Sequence, residues 1–358
     1  MPRAVLDMAD LRPIWAMPDW VPERLREILP ADWELYVSTE VRDGSGDGVV
    51  RAGPEVLAAV RDAEIYLGWG IPESILEAGQ ALEWVHTAVA GVGGSLSPTM
   101  IESAVVFTNS AGIHAPPMAE TVLGMILHFA RGLDLAAEGQ RRGEWRQEPF
   151  FSGDTPLFEL ADSMVGIVGF GGIGREVARR VAALGARVIG LKRTAPSPGD
   201  ARLEPVGGGA SLEDRIELVQ GRDGLHRLMR ESNVVVVAAP ETAESEGLVD
   251  AEALDLLPRG AVLVNVARGS LVDEAALLDE LSTGRIRGAG LDVFWEEPLP
   301  EDHPIWGLPN VLLTPHVSPV TRGFWQREMD LIVGNLERYL AGEPVDRWRN
   351  VVDKRAGY

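Results

Sequence analysis

From residue 164 onwards, apolar runs of four or five residues alternate with stretches of helical spacing. The runs lie at 164–168, 187–191, 234–238, 261–265, 288–291 and 311–314. A run that is apolar at nearly every position suits a parallel strand buried on both faces. The helical stretches between the runs, the first reaching Leu184, supply the crossovers such strands need. Residues 1–108 repeat the theme in shorter pieces, with helical spacing at 21–29 and strands predicted at 63–68, 82–90 and 105–108. After the breaker cluster Asn109-Ser110-Ala111-Gly112, a long helix is predicted over 118–138, with Pro117 well placed at its start. A second amphipathic helix is predicted at 327–341. Residues 194–224 are rich in Gly, Pro, Asp and Glu and read as a long, mobile surface loop with one short helix near Leu212. There is no repeat at a solenoid period. The pattern predicts an α/β protein with a doubly wound parallel sheet.

Composition narrows the function classes. A chain of 358 residues, 46% hydrophobic, has room for about two domains with substantial cores. Its 33 basic and 54 acidic residues give a net charge of −21, which argues against nucleic acid or an anionic membrane surface as partner. With no cysteine, disulfides, thiolate catalysis and Cys-ligated zinc are excluded, and no HExxH spacing suggests another metal site. The start Met-Pro-Arg-Ala-Val-Leu-Asp-Met lacks the pattern of a signal peptide, and no stretch approaches the ~18 apolar residues of a membrane span. The expectation is a soluble, cytoplasmic protein. Only Lys192 and Lys354 among the basic residues are lysines.

Gly169-Phe170-Gly171-Gly172-Ile173-Gly174 is a GxGxxG pattern. Alone it is weak, but a predicted strand leads in and a predicted helix leads out. Gly169 permits the tight turn, Gly171 lets backbone approach a pyrophosphate, and Gly174 lets helix and sheet pack closely. The amides at the helix start, around Gly172 and Ile173, then hold the phosphates. An NAD site usually has a carboxylate about 20 residues further on, to bind the ribose hydroxyl. Here the second strand ends Leu191-Lys192-Arg193-Thr194. Lys192 and Arg193 suit a 2′-phosphate instead, so the reading favours NADP, with NAD as the alternative.

Three further stretches follow predicted strands, at the edge where open α/β sheets bind ligands. They are Asn265-Val266-Ala267-Arg268-Gly269, Leu291-Asp292-Val293-Phe294-Trp295-Glu296-Glu297-Pro298 and Thr314-Pro315-His316-Val317-Ser318. As in the D-isomer-specific 2-hydroxyacid dehydrogenases, which these stretches resemble, a 2-oxo acid undergoing reduction would need its carboxylate gripped, its carbonyl polarised and a proton delivered. A planar Arg fork suits the first two needs. An imidazole, favoured in its charged form by a carboxylate, suits the third.

The order Arg, Glu, His behind GxGxxG resembles the D-isomer-specific 2-hydroxyacid dehydrogenases. The likeness extends to Ala90-Gly91-Val92, Asn109, Ala119-Glu120, Val351-Val352-Asp353 and Gly357-Tyr358. The resemblance implies that Arg268, Glu297 and His316 are catalytic, the family spacing before Pro298 selecting Glu297 over Glu296. It implies that Ala90, Gly91 and Val92 join Arg268 and His316 in binding substrate. Ala239, Pro240, Ala267 and Asp292 join the cofactor-binding set, Asp292 being also a candidate structural residue at its strand end. His86, His114 and Phe324-Trp325 are further candidates to line the site.

The implied architecture is a Rossmann nucleotide-binding domain, 115–321, inserted into a smaller flavodoxin-like substrate domain, 1–114 with 322–358. Substrate would lie between them, and closure would exclude water. The implied reaction is hydride transfer between NAD(P)H and C2 of a small 2-oxo acid, giving a D-2-hydroxy acid, as in glyoxylate/hydroxypyruvate reductases. A homodimer is implied too, with Trp145 a candidate to reach the partner's site. Alternatives are a nucleotide-sensing corepressor-like protein, a non-catalytic homologue, or a phosphite or phosphoglycerate dehydrogenase. Glu297, where formate dehydrogenases pair their His with Gln, disfavours that activity.

Overall fold

The computed structural model describes residues 1–41, 51–197 and 199–357. The chain divides into two compact units, Met1–His114 with Val320–Tyr358, and Ala115–Pro319. Tyr358, one of the terminal residues carrying the family likeness, lies outside the described residues.

The first unit is built from β1 (Arg3–Asp7), α1 (Trp20–Ile28), β2 (Glu34–Val37), α2 (Pro54–Val60), β3 (Ile65–Gly68), α3 (Glu73–Ala78), β4 (Trp84–Thr87), α4 (Pro98–Glu102) and β5 (Val106–Asn109). Its strands form one parallel sheet in the order β2-β1-β3-β4-β5, the flavodoxin-like arrangement. Both faces are apolar, because successive strand residues point to opposite sides. Leu6, Leu67 and Trp84 belong to one core, and Val5, Tyr66, Val85 and Phe107 to the other.

The C-terminal helix of this unit (Phe324–Leu340) packs on the first of these faces. A buried polar network ties it down. His86 Nε2 lies 2.9 Å from Glu328 Oε1, its Nδ1 lies 2.8 Å from Thr108 Oγ1, and the Ser110 hydroxyl donates to Glu328 at 2.7 Å. Each buried group has a partner, as burial demands. His86 therefore holds the unit together rather than lining a binding site. Phe324 and Trp325 are likewise core residues, not borders of an open pocket.

The second unit begins with α5 (Ala115–Ala130), α6 (Leu133–Arg142) and α7 (Glu148–Phe151). The single long helix expected over 118–138 is thus interrupted. Gly132, at φ +64°, takes a left-handed conformation that ends α5 and starts α6. There follow β6 (Met164–Val168), α8 (Gly172–Ala183), β7 (Arg187–Lys192), β8 (Ile216–Gln220), α9 (Gly221–Glu231), β9 (Val234–Val237), α10 (Ala251–Asp255), β10 (Val262–Asn265), α11 (Glu274–Ser282), β11 (Gly288–Leu291) and β12 (Val311–Leu313).

These strands form a seven-stranded parallel sheet, order β12-β11-β10-β9-β6-β7-β8, reversing at β6 as in a Rossmann fold. The segment 194–224 is more than a loop. It supplies the edge strand β8, which pairs with β7, and it buries Leu203 and Leu212 in the core beside β6. Its alternation Ile216-Glu217-Leu218 fits an edge strand, half covered and half solvated.

Candidate active site

The GxGxxG turn links β6 to α8. Gly169 has φ +100°, and a Cβ there would meet the backbone nitrogen of Ala239 at 2.4 Å. At Gly174 a Cβ would fall 2.1 Å from the Gly169 carbonyl oxygen. A side chain at Gly169 would push the turn off the segment that follows β9, and one at Gly174 would push the helix off the turn. Around Gly171 the opposite holds: nothing lies within 4 Å of a Cβ position, and no side chain caps α8. The result is a helix start with open space before its unpaired amides, which fits a dinucleotide pyrophosphate. Gly172 and Ile173 form its first turn, and Ala239 and Pro240 follow β9 across the turn from Gly169.

The far end of β7 holds a surprise. Lys192 does not face solvent alone: its ammonium contacts the carboxylate of Asp200. Arg193 also has a carboxylate close by. The Glu244 carboxyl is held below its usual range by its own backbone N–H, by the Thr242 hydroxyl and by the Arg193 charge.

Arg268, Glu297 and His316 lie on loops that follow β10, β11 and β12, three neighbouring strands. Asn265 shapes the first loop, accepting from the Ala267 N–H at 3.0 Å and donating to the Arg268 carbonyl at 2.8 Å. Gly269 lies flush on the second loop: a Cβ there would sit 2.1 Å from the Phe294 carbonyl carbon. That contact keys the Arg268 loop to the Glu297 loop. The Arg268 guanidinium donates to the Ala267 carbonyl at 2.7 Å.

Glu297 uses both oxygens. Oε1 accepts the Phe294 N–H at 2.9 Å, and Oε2 lies 2.7 Å from His316 Nδ1. Glu296 makes no such contact, so geometry separates the two adjacent glutamates. His316 has φ +53°, rare for a residue with a side chain. Asp292 sustains it. The Asp292 carbonyl accepts the His316 N–H at 2.9 Å, and its carboxylate accepts from Thr314 Oγ1, Val317 N and Ser318 N at 2.5, 2.9 and 3.0 Å. Asp292 is fully buried with its carboxylate engaged in this way, so it positions the His316 loop. His316 Nε2 has no hydrogen-bond partner among the described residues. An imidazole anchored through Nδ1 and open at Nε2 can exchange a proton with a bound molecule.

Sequence reasoning missed Asn265 and Asp200 as contributors. Asn265 was legible as a short polar residue ending a buried strand. Asp200 carried no signal, being joined to Lys192 only through a loop.

In the first unit, the loop after β4 carries Ala90, Gly91 and Val92. Asn109 Nδ2 donates to the Ala90 carbonyl at 2.7 Å, and the N–H groups of Gly91 and Val92 have no acceptor among the described residues. Among those residues, no cluster of His, Asp and Glu could hold a metal ion, and no helix is long and apolar enough to cross a membrane.

Comparison with known proteins gives a consistent result. The family D-isomer specific 2-hydroxyacid dehydrogenase, NAD binding domain, matches residues 123–318. Glyoxylate/hydroxypyruvate reductase A of Salmonella newport (strain SL254) is 32% identical over 83% of this chain and 88% of its own length. Glycerate dehydrogenase of Methylorubrum extorquens is 34% identical over 65% of this chain and 67% of its own. Among solved structures, a D-isomer specific 2-hydroxyacid dehydrogenase from Xanthobacter autotrophicus Py2, in complex with NADPH and MES, superposes with a TM-score of 0.74 at 30% identity, covering 99% of both chains. The matched domain contains the glycine-rich turn and all three of Arg268, Glu297 and His316, and the chain belongs to the D-isomer specific 2-hydroxyacid dehydrogenases.

Proposed function

We propose that the chain is an oxidoreductase that transfers a hydride between NADPH or NADH and C2 of a small 2-oxo acid, yielding a D-2-hydroxy acid. The observation that carries this reading is the His316–Glu297 pair, 2.7 Å apart, with Nε2 unengaged. The turn Gly169–Gly174 and the α8 start would hold the dinucleotide, which would supply the hydride when bound. As the carbonyl carbon is reduced, its oxygen must gain a proton, and His316 Nε2 gives it. Glu297 holds the ring by Nδ1, in the orientation that leaves Nε2 to donate. Arg268 grips the carboxylate and polarises the carbonyl with its planar fork. In the other unit, the free N–H groups of Gly91 and Val92 suit an anion such as a carboxylate. The names of the relatives, a glyoxylate/hydroxypyruvate reductase and a glycerate dehydrogenase, support a short-chain acid.

The same reading includes a homodimer. Trp145 is 90% exposed and Phe151 80%, and both border an apolar hollow with Ala136 and Phe150. Such a patch is unusual on a monomer. A second copy of the chain would cover it, with Trp145 placed to reach the partner. Sedimentation at micromolar concentration distinguishes dimer from monomer.

The deciding assay follows NADPH and NADH consumption with glyoxylate, hydroxypyruvate, pyruvate and phenylpyruvate. Turnover on at least one acid is expected, and His316→Ala should end it while leaving NADPH binding intact. Cofactor binding without turnover on any of the four would overturn the reductase reading.

A further inference from the structure

The cation pair at the end of β7 suggested a site selective for a 2′-phosphate. Its surroundings change that picture. Asp200 is held on three sides: its carboxylate contacts Lys192, its Oδ2 accepts the Ser197 N–H at 2.7 Å, and its carbonyl accepts Arg175 Nη1 at 2.7 Å. Arg175 lies in the first turns of α8, the helix whose start would take the pyrophosphate. Asp200 is thereby fixed between that helix and the tip of β7, where a Rossmann fold receives the adenosine ribose. It is the carboxylate that β7 itself lacks, delivered from the following loop.

We propose that Asp200 determines the nucleotide preference of this site, by accepting the ribose hydroxyls of NADH and by neutralising Lys192 against the 2′-phosphate of NADPH. The inference rests on the dehydrogenase reading above. A 2′-phosphate entering here meets a cation already paired and a carboxylate of its own sign. NADPH must separate Lys192 from Asp200, whereas NADH uses Asp200 as it stands. The site therefore accepts both nucleotides rather than strongly selecting NADPH.

Asp200 and Lys192 are partly exposed, so their variants are expected to fold, and a matching melting temperature checks this. Direct binding of NADPH and NADH, followed by nucleotide fluorescence without any oxo acid, reads the proposal independently of turnover. Asp200→Asn keeps the shape and removes the charge. The NADPH-over-NADH affinity ratio should rise about tenfold, through tighter NADPH and weaker NADH together. Lys192→Gln should lower the ratio, and in the Asp200→Asn, Lys192→Gln double variant most of the gain should vanish. A ratio unmoved or lowered by Asp200→Asn overturns the inference and leaves the dehydrogenase reading standing. A wild-type protein that binds neither nucleotide overturns both.

Discussion

Replacing Glu297 by Gln tests how His316, the proposed proton donor, is held. The carboxylate serves two donors at once, the Phe294 N–H at 2.9 Å and His316 Nδ1 at 2.7 Å. Gln offers one acceptor and one NH2 to the same two positions. If its oxygen faces His316, the Phe294 N–H meets another donor. If its NH2 faces His316, Nδ1 must become an acceptor and the ring keeps its proton on Nε2 in the neutral form. That proton is a poor one to give, since the ring no longer passes from imidazolium to imidazole.

A hydrogen bond to a charged group contributes about 1.5–3 kcal/mol. The two side chains are 33% and 35% exposed, so solvent screening favours the lower end. The expected loss in kcat is about tenfold to thirtyfold. Steady-state NADPH consumption with a 2-oxo acid measures it, and NADPH binding by fluorescence serves as the control, because the dinucleotide does not depend on Glu297. A kcat within about twofold of wild type would refute the claim that Glu297 orients His316. A comparable loss of NADPH affinity would assign the effect to a disturbed fold.

Two further perturbations follow from packing and burial. In Gly269→Ala the new Cβ meets the Phe294 carbonyl carbon at 2.1 Å and the Trp295 nitrogen at 2.4 Å, backbone atoms that cannot rotate aside. The variant should lose about 3 kcal/mol, seen as a melting temperature lower by on the order of 5–10 °C; unchanged melting would show that the Arg268 and Glu297 loops are not keyed there. His128 in α5 titrates below its ordinary value because burial penalises its charged form; Asp134 opposes this shift and Arg287 adds to it. The unfolded chain then binds the proton more readily, so this contribution is intact above about pH 6.5 and is lost as pH falls towards the folded pKa. Denaturant unfolding at about pH 7 and about pH 5 should show a smaller acid loss in His128→Asn than in wild type, and equal losses would remove His128 from the account.

The parts of this molecule that were legible in its sequence are those set by local pattern. The buried strands β6, β9, β10 and β11 are almost uniformly apolar because both faces are covered. The glycine-rich turn was legible because Gly169 and Gly174 admit no side chain. β8 was not, since an edge strand of five residues with Glu217 at its second position looks like the polar segment around it. Nor was the break at Gly132, which lies in an otherwise continuous helical pattern; the packing of Leu157 and Phe150 against it is a tertiary fact. The Lys192–Asp200 contact also depends on the path of a loop, which periodicity does not encode.

The distribution of polar residues at the strand ends explains why the chemistry sits where it does. A loop leaving a parallel sheet loses its ladder, so its backbone groups need other partners. Asn265 closes the Arg268 loop and Asp292 closes the His316 loop, and each is a short side chain buried at the last strand position or just beyond it. Glu297 closes its own loop through Phe294 before it reaches His316. Each chemical group is thus held by a bond between side chain and backbone within a few residues of its strand. His316 can keep a left-handed backbone, which costs on the order of 1 kcal/mol or more, only because Asp292 fixes the residues after it. Rigid placement of this kind orients an imidazole through one nitrogen and leaves the other without a partner among the described residues. The same logic separates Asp292 from Glu297, two carboxylates five positions apart: the one sealed in the loop holds backbone, and the one-third-exposed one beside Nδ1 is placed to hold the imidazole in the proposed proton transfer.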